Sequence, residues 1–179
     1  MFSQNNSTCD IVIPICSQDG LNFDANGGSN QDANQINPGN HYGCLVSTPN
    51  PSWYFFEISE SGPLDLVLEG EGDIDFILYG PFEDVQTAVD NCGSYTSSDV
   101  VGCSFDPTSY ETFQINGQVG EVYVLLITNF ANIDQSVELT QENFGDSQGG
   151  ETNCDVVDAC QILSITSEYS DCNIIGTYD

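Results

Sequence analysis

The chain has 179 residues, with 28 carboxylates, one His and no Lys or Arg, for a formal net charge of −28. That balance excludes nucleic acid and anionic membrane surfaces as partners, because binding phosphate requires Lys and Arg to displace counterions. Hydrophobic residues make up 39 %, including 10 Phe and 8 Tyr, which is material for one folded core and not the makeup of a solvated acidic tail.

The chain opens on the polar stretch Met1–Thr8, which has no apolar signal-peptide core. It therefore reads as a secreted chain without its leader, or as a piece of a longer secreted chain. Asp24–Asp32 is an Asn/Asp/Gly-rich loop, and His41 lies in Pro38–Tyr42, where it reads as a loop residue packing its ring. Trp53–Ile58 predicts a strand with aromatic residues on both faces. From Leu64 to Leu78 the even positions are apolar or Gly, while the odd ones include Asp65, Glu69, Glu71, Asp73 and Asp75. That period of two predicts strands over Asp65–Leu68 and Ile74–Tyr79, joined by a Gly-rich acidic turn. Pro81–Asp90 is the one predicted helix, with acids in its first turn.

Phe113–Ile115 predicts a short strand before the turn signal Asn116-Gly117. Glu121–Thr128 is apolar on both faces and predicts a central strand, and Ser136–Thr140 alternates as a strand with one wet face. Residues 146–153 read as a linker. Ile162–Thr166 and Ile174–Tyr178, in a stretch too short for its own core, read as the opening hairpin of a further module or as a tail pairing onto a sheet edge. No apolar run reaches the ~18 residues of a spanning helix. The expected fold is all-β: a jelly-roll-like antiparallel β-sandwich over residues 1–145 with one short helix, the linker 146–153, and a β fragment over 154–179.

The chain has 8 Cys but no CxxC pair, and its single His cannot complete the usual zinc ligand sets. Disulfides and an oxidising compartment are expected instead. Cys92 with Cys103 and Cys160 with Cys172 are local pairs, each closing a loop worth ~3 kcal/mol in the chain-entropy model. Cys9, Cys16, Cys44 and Cys154 allow three connectivities. Cys16–Cys44 together with Cys9–Cys154 is the expected one, since the second bridge ties the domain's ends.

The sharpest chemical signal is Glu69-x-Glu71-x-Asp73-x-Asp75. Carboxylates at i and i+2 of a strand stand ~6.6–6.8 Å apart on one face. They repel by about 2 kcal/mol at an effective dielectric of 20, and by little in open water. If a loop covers the turn, a hard cation with oxygen ligands converts that repulsion to attraction, so Ca²⁺ is the expected cofactor. Further ligands are expected from Asp106 and Glu111, or from Asp24, Asn26, Asn30 and Asp32. The plain alternative for any one acid is a solvated turn.

The segments Gly43–Leu45, Asn50–Ile58, Asp73–Phe82, Cys103–Asp106 and Gly120–Asn129 occur in this order. In that order they resemble a module of long, repetitive surface proteins of gliding and biofilm-forming Bacteroidetes, exported by the type IX secretion system. That module is similar to bacterial pre-peptidase C-terminal domains. The resemblance covers roughly residues 9–145 and implies a small jelly-roll sandwich, non-catalytic and often calcium-stabilised. Its implied partners are neighbouring modules or subunits of the same surface protein.

Catalysis is not expected. Among 28 acids a close pair arises by chance, no cationic side chain exists to stabilise an oxyanion, and no Gly-x-Ser-x-Gly elbow is present. The expected function is therefore a calcium-stabilised extracellular module of an adhesin or filament. The alternatives are a carbohydrate-binding accessory module of a secreted hydrolase, with surface glycans as partners, and a self-assembling subunit. Trp53, Tyr54, Tyr95, Phe105 and Tyr110 are the possible sugar-stacking residues. Core packing is the plainer reading for Trp53, and less so for Tyr95 and Tyr110, which lie in polar loops.

Overall fold

The computed structural model describes residues 6–17, 21–25 and 31–156. Among these described residues ten strands build two sheets. The strands are β1 (Ile13–Pro14), β2 (Leu21–Ala25), β3 (Pro51–Glu60), β4 (Gly62–Glu69), β5 (Ile74–Phe82), β6 (Val100–Ser104), β7 (Tyr110–Gly117), β8 (Val122–Asn129), β9 (Gln135–Gln141) and β10 (Glu151–Thr152). One sheet runs β1-β3-β8-β5-β6, with β10 also paired to β3, and the other runs β2-β9-β4-β7. From β3 to β9 the chain changes sheet at every step except β5 to β6. All pairings are antiparallel apart from β1 on β3. The molecule is an all-β sandwich.

The β3 sequence explains why the sandwich carries an additional layer. Alternate residues of a strand face opposite ways. Tyr54, Phe56 and Ile58 enter the core between the sheets, with Leu64, Leu66 and Leu68 of β4 and Leu125 and Ile127 of β8. Trp53 and Phe55 point the other way, into a second core with Ile77, Tyr79, Val124 and Leu126. That outer core is roofed by Cys9, Val12, Ala33, Leu45, Ala88 and Tyr95, which come from the N-terminal segment, two short helices and loops. The sheet holding β3, β8 and β5 is thus covered on both faces, so β8 is buried throughout and central. Each fully buried Leu, Ile or Phe contributes roughly 1.5–3 kcal/mol.

Two of three disulfides, Cys9–Cys92 and Cys44–Cys103, close this outer layer, and none of the three is an expected pair. Cys9 bonds Cys92, Cys16 bonds Cys154 and Cys44 bonds Cys103. Cys92–Cys103, Cys16–Cys44 and Cys9–Cys154 are therefore not formed. Short sequence separation misleads because Cys92 and Cys103 both pack on the outer core and each meets a different roofing segment. Cys160, Cys172 and the two strands expected near them lie outside the described residues.

The helix expected over Pro81–Asp90 is shorter. Pro81 and Phe82 extend β5 after a register shift against β8, and the helix α2 spans Val85–Asp90, capped by the Asp84 side chain on Thr87 N–H. A second helix, α1 (Ala33–Ile36), is capped by Asp32. Between β3 and β4 the chain turns at Gly62 (φ 156°), where an added Cβ would stand 2.6 Å from Gly150 N. β10, inside the stretch read as a linker, is held close to this corner, with Gly150 N donating to Pro63 O at 2.9 Å. Among the described residues no helix is long and apolar enough to cross a membrane.

Candidate metal centre

The acidic turn between β4 and β5 is a covered one. Gly70 N donates to Ser109 O at 2.8 Å and Ile74 N to Thr108 O at 3.1 Å, so the 105–109 loop lies against it. From the other side Ala131 N donates to Asp73 O at 3.0 Å. The tip is fixed by buried Gln135, whose Oε1 accepts from both Glu71 N and Gly72 N at 2.8 Å. Gln135 Nε2 in turn donates to Asn129 Oδ1 at 2.8 Å, and Asn129 Nδ2 donates to Ala25 O and Ile133 O. This amide relay orients the turn, and no period or motif in the sequence announces it.

Beside the turn three carboxylates influence one another. Asp75 on β5 is 6 % exposed and Glu111 on β7 is 4 % exposed, while Asp73 is half-buried. Burial pushes Asp75 up to about 6, and the charges of Asp73 and Glu111 push the same way. Thr128 opposes that rise, although its Oγ1 does not meet full hydrogen-bond geometry. Burial also raises Glu111, against the hydrogen bond from Ser104, with the Asp106 and Asp73 charges adding to the rise. Burial raises Asp73 as well. Asp73 Oδ1 and Glu111 Oε1 are both enclosed and have no hydrogen-bond partner. A buried carboxylate oxygen without a partner is costly while it is ionised.

The expected ligands divide into those near this point and those away from it. Asp73, Asp75 and Glu111 share the electrostatic environment, and exposed Asp106 acts on Glu111 from the covering loop. Glu71 is exposed at the turn's tip. Asp24 is on β2, at the opposite edge of its sheet from β7. Asp32 caps α1, with Oδ1 accepting from Asn34 N and Thr48 Oγ1. Asn26 and Asn30 lie outside the described residues. Among the described residues no three His, Cys, Asp or Glu side chains form a ready metal cluster. The oxygen donors that act on one another at this point are Asp73, Asp75, Glu111, Asp106 and the Ser104 hydroxyl.

His41 is exposed, not packed, and its Nδ1 accepts from Gly43 N at 3.1 Å. Of the aromatic residues, Trp53 and Tyr54 are core. Tyr95, expected nearer the surface, is buried too. It stacks on Tyr79 at a centroid distance of 4.5 Å and donates its hydroxyl to Ala88 O at 2.9 Å. A polar loop sequence hides this because the ring fills the space beneath α2. Only Phe105 and Tyr110 of that set are exposed.

No family model and no curated protein matches the chain. Among solved structures it is similar to the pre-peptidase C-terminal domain of collagenase from Bacillus anthracis, at 12 % identity and a TM-score of 0.43, over 73 % of this chain and 94 % of that one. It is also similar to a periplasmic inhibitor of g-type lysozyme from Aeromonas hydrophila, at 11 % identity and a TM-score of 0.36, over 74 % of this chain and 96 % of that one. Likenesses this remote transfer neither protein's role.

Proposed function

We propose that the chain is a non-catalytic module of an extracellular surface adhesin or filament, clamped by Ca²⁺ at the acidic end of its sandwich and serving adhesion or assembly. The type IX-exported surface proteins that its segments resemble are the context we assign to it. The observation that carries the calcium reading is the pair of enclosed, partnerless oxygens, Asp73 Oδ1 and Glu111 Oε1, in a chain with no Lys or Arg to neutralise them. Asp73, Asp75, Glu111 and Asp106 would hold the ion. Bound there, it would neutralise their mutual repulsion and lock the β4–β5 turn to the 105–109 loop, stiffening that end of the sandwich. Three disulfides fit the oxidising surroundings this role requires.

Melting the protein in millimolar calcium and in chelator tests the reading. The melting temperature should rise with calcium, and Asp73→Asn with Glu111→Gln should abolish the difference while leaving the chelated protein as stable or more so. Equal melting temperatures for the parent protein would overturn it. Calcium-dependent growth in light scattering would support bridging between copies.

A further inference from the structure

Beside the 129–133 segment that backs the acidic turn, two loops and the start of α1 enclose an open groove of about 350 Å³, lined among others by Gln31, Asp32, Gln35, Asn50, Phe130 and Asn132. Its walls are stapled together. Asn50 N donates to Gln31 O at 2.8 Å, Asp32 and Pro49 form a backbone bridge, and Asn50 Nδ2 donates to Asn132 Oδ1 at 3.0 Å and to Asn129 O at 3.1 Å. Among the described residues, the non-glycine positions with positive φ are Asn50 (48°) and Asn132 (55°), and both line this groove. Left-handed backbone outside glycine concentrates at sites where the surrounding structure dictates the conformation, binding sites among them. The groove is preformed, which suits a small ligand.

Its chemistry is specific. Primary amides donate and accept at once and carry several bonding positions each, so amides already engaged within the protein still have capacity for a ligand. Asp32 directs both of its hydrogen bonds to Oδ1, leaving Oδ2 as an acceptor. Beside these polar groups stands Phe130, 51 % exposed. Sugar hydroxyls match the amides and the carboxylate, and the C–H face of a pyranose matches an exposed aromatic ring. Uronates, sulfated glycans and nucleotides are repelled by a chain at −28 without Lys or Arg. An extended peptide needs an unpaired strand edge, and the backbone groups around the groove pair with one another.

We infer that this groove binds a neutral sugar unit of a glycan, with Phe130 as stacking platform and Gln31, Asp32, Gln35 and Asn132 as hydroxyl partners. The site shares the 129–133 segment with the acidic turn, Ala131 N donating to Asp73 O, but none of its sugar contacts is among the carboxylates proposed to hold calcium. Calorimetric titration of the full chain with cellohexaose, mannohexaose and xylohexaose tests it, with polygalacturonate and an extended peptide library as contrasting arms. At least one neutral oligosaccharide should bind with sub-millimolar affinity, equally in calcium and in chelator below the melting temperature. Phe130→Ala and Gln35→Ala, both at exposed positions, should each weaken binding about tenfold or more without lowering the melting temperature. Absence of neutral-sugar binding up to millimolar concentration, unchanged affinity in both variants, or preference for polygalacturonate or a peptide would overturn the inference.

Discussion

Asp75 is the residue whose ionisation is most at odds with its surroundings. Its folded-state pKa is raised to about 6 from 3.8, first by burial and then by the charges of Asp73 and Glu111. An acid raised on folding favours the fold while protonated, so its contribution is full below about pH 4 and is lost as pH climbs through about 6. In chelator, therefore, stability should increase as pH is lowered from 7 to 5, by roughly 1 kcal/mol from this group, the full swing of about 3 kcal/mol being reached only below about pH 4. Urea unfolding across that range measures it. Asp75→Asn should flatten the trend, and saturating calcium should reverse it, because a bound cation keeps the carboxylate ionised. An Asp75→Asn profile identical to the parent's would show that general charge repulsion, not this residue, sets the pH response. Period-two spacing places Asp75 on β5 and Asp73 in the turn just before it. It says nothing of Glu111, which is brought into range only by the packing of β7, nor of Ser104, which sits beside Glu111.

At the scale of elements, the turn between β4 and β5 depends on a side chain from β9. Gln135→Ala would strip acceptors from Glu71 N and Gly72 N and a donor from Asn129 Oδ1. A loss of about 2–3 kcal/mol is expected, since unmet buried polar groups cost about 1–3 kcal/mol each and water can reach part of the turn. Denaturant titration measures it, and a loss under about 0.5 kcal/mol would show that the turn holds its shape unaided. The calcium-dependent rise in melting temperature should shrink in the same variant. What sequence reveals at this scale follows from periodicity. β3, β4, β5, β8 and β9 alternate or run apolar for long enough to be read, each with at least one end a residue or more out. β1, β6 and β10 are too short or too mixed in burial to show a period. The amide relay through Asn129 and Gln135, like the groove beside Phe130, joins residues distant in sequence, and polar side chains carry no pattern that predicts such meetings.

At the scale of the whole molecule, the outer layer over the β3 sheet decides how the ends of the domain are held. A two-layer sandwich needs no roof, but β3, β5 and β8 carry apolar residues on both faces, and the segment from Cys9 to Ser17 is drawn across to cover them. Cys16 then meets Cys154, 138 positions later, with Cα atoms 5.2 Å apart. In the chain-entropy model a loop of this size contributes about 5 kcal/mol. The bridge also has a mechanical meaning. A pull applied through the two ends of the domain enters at Cys16 and leaves at Cys154 through a covalent bond, so the sandwich between them carries no load. Stretched singly, the oxidised module should yield almost no length. After reduction the same span should release roughly 480 Å, at ~3.5 Å per residue. An oxidised module that lengthens by anything near that amount would show that the bridge does not bear the force. Tension between residues 16 and 154 would then pass through this domain as through a closed link, leaving the surface of the sandwich undistorted.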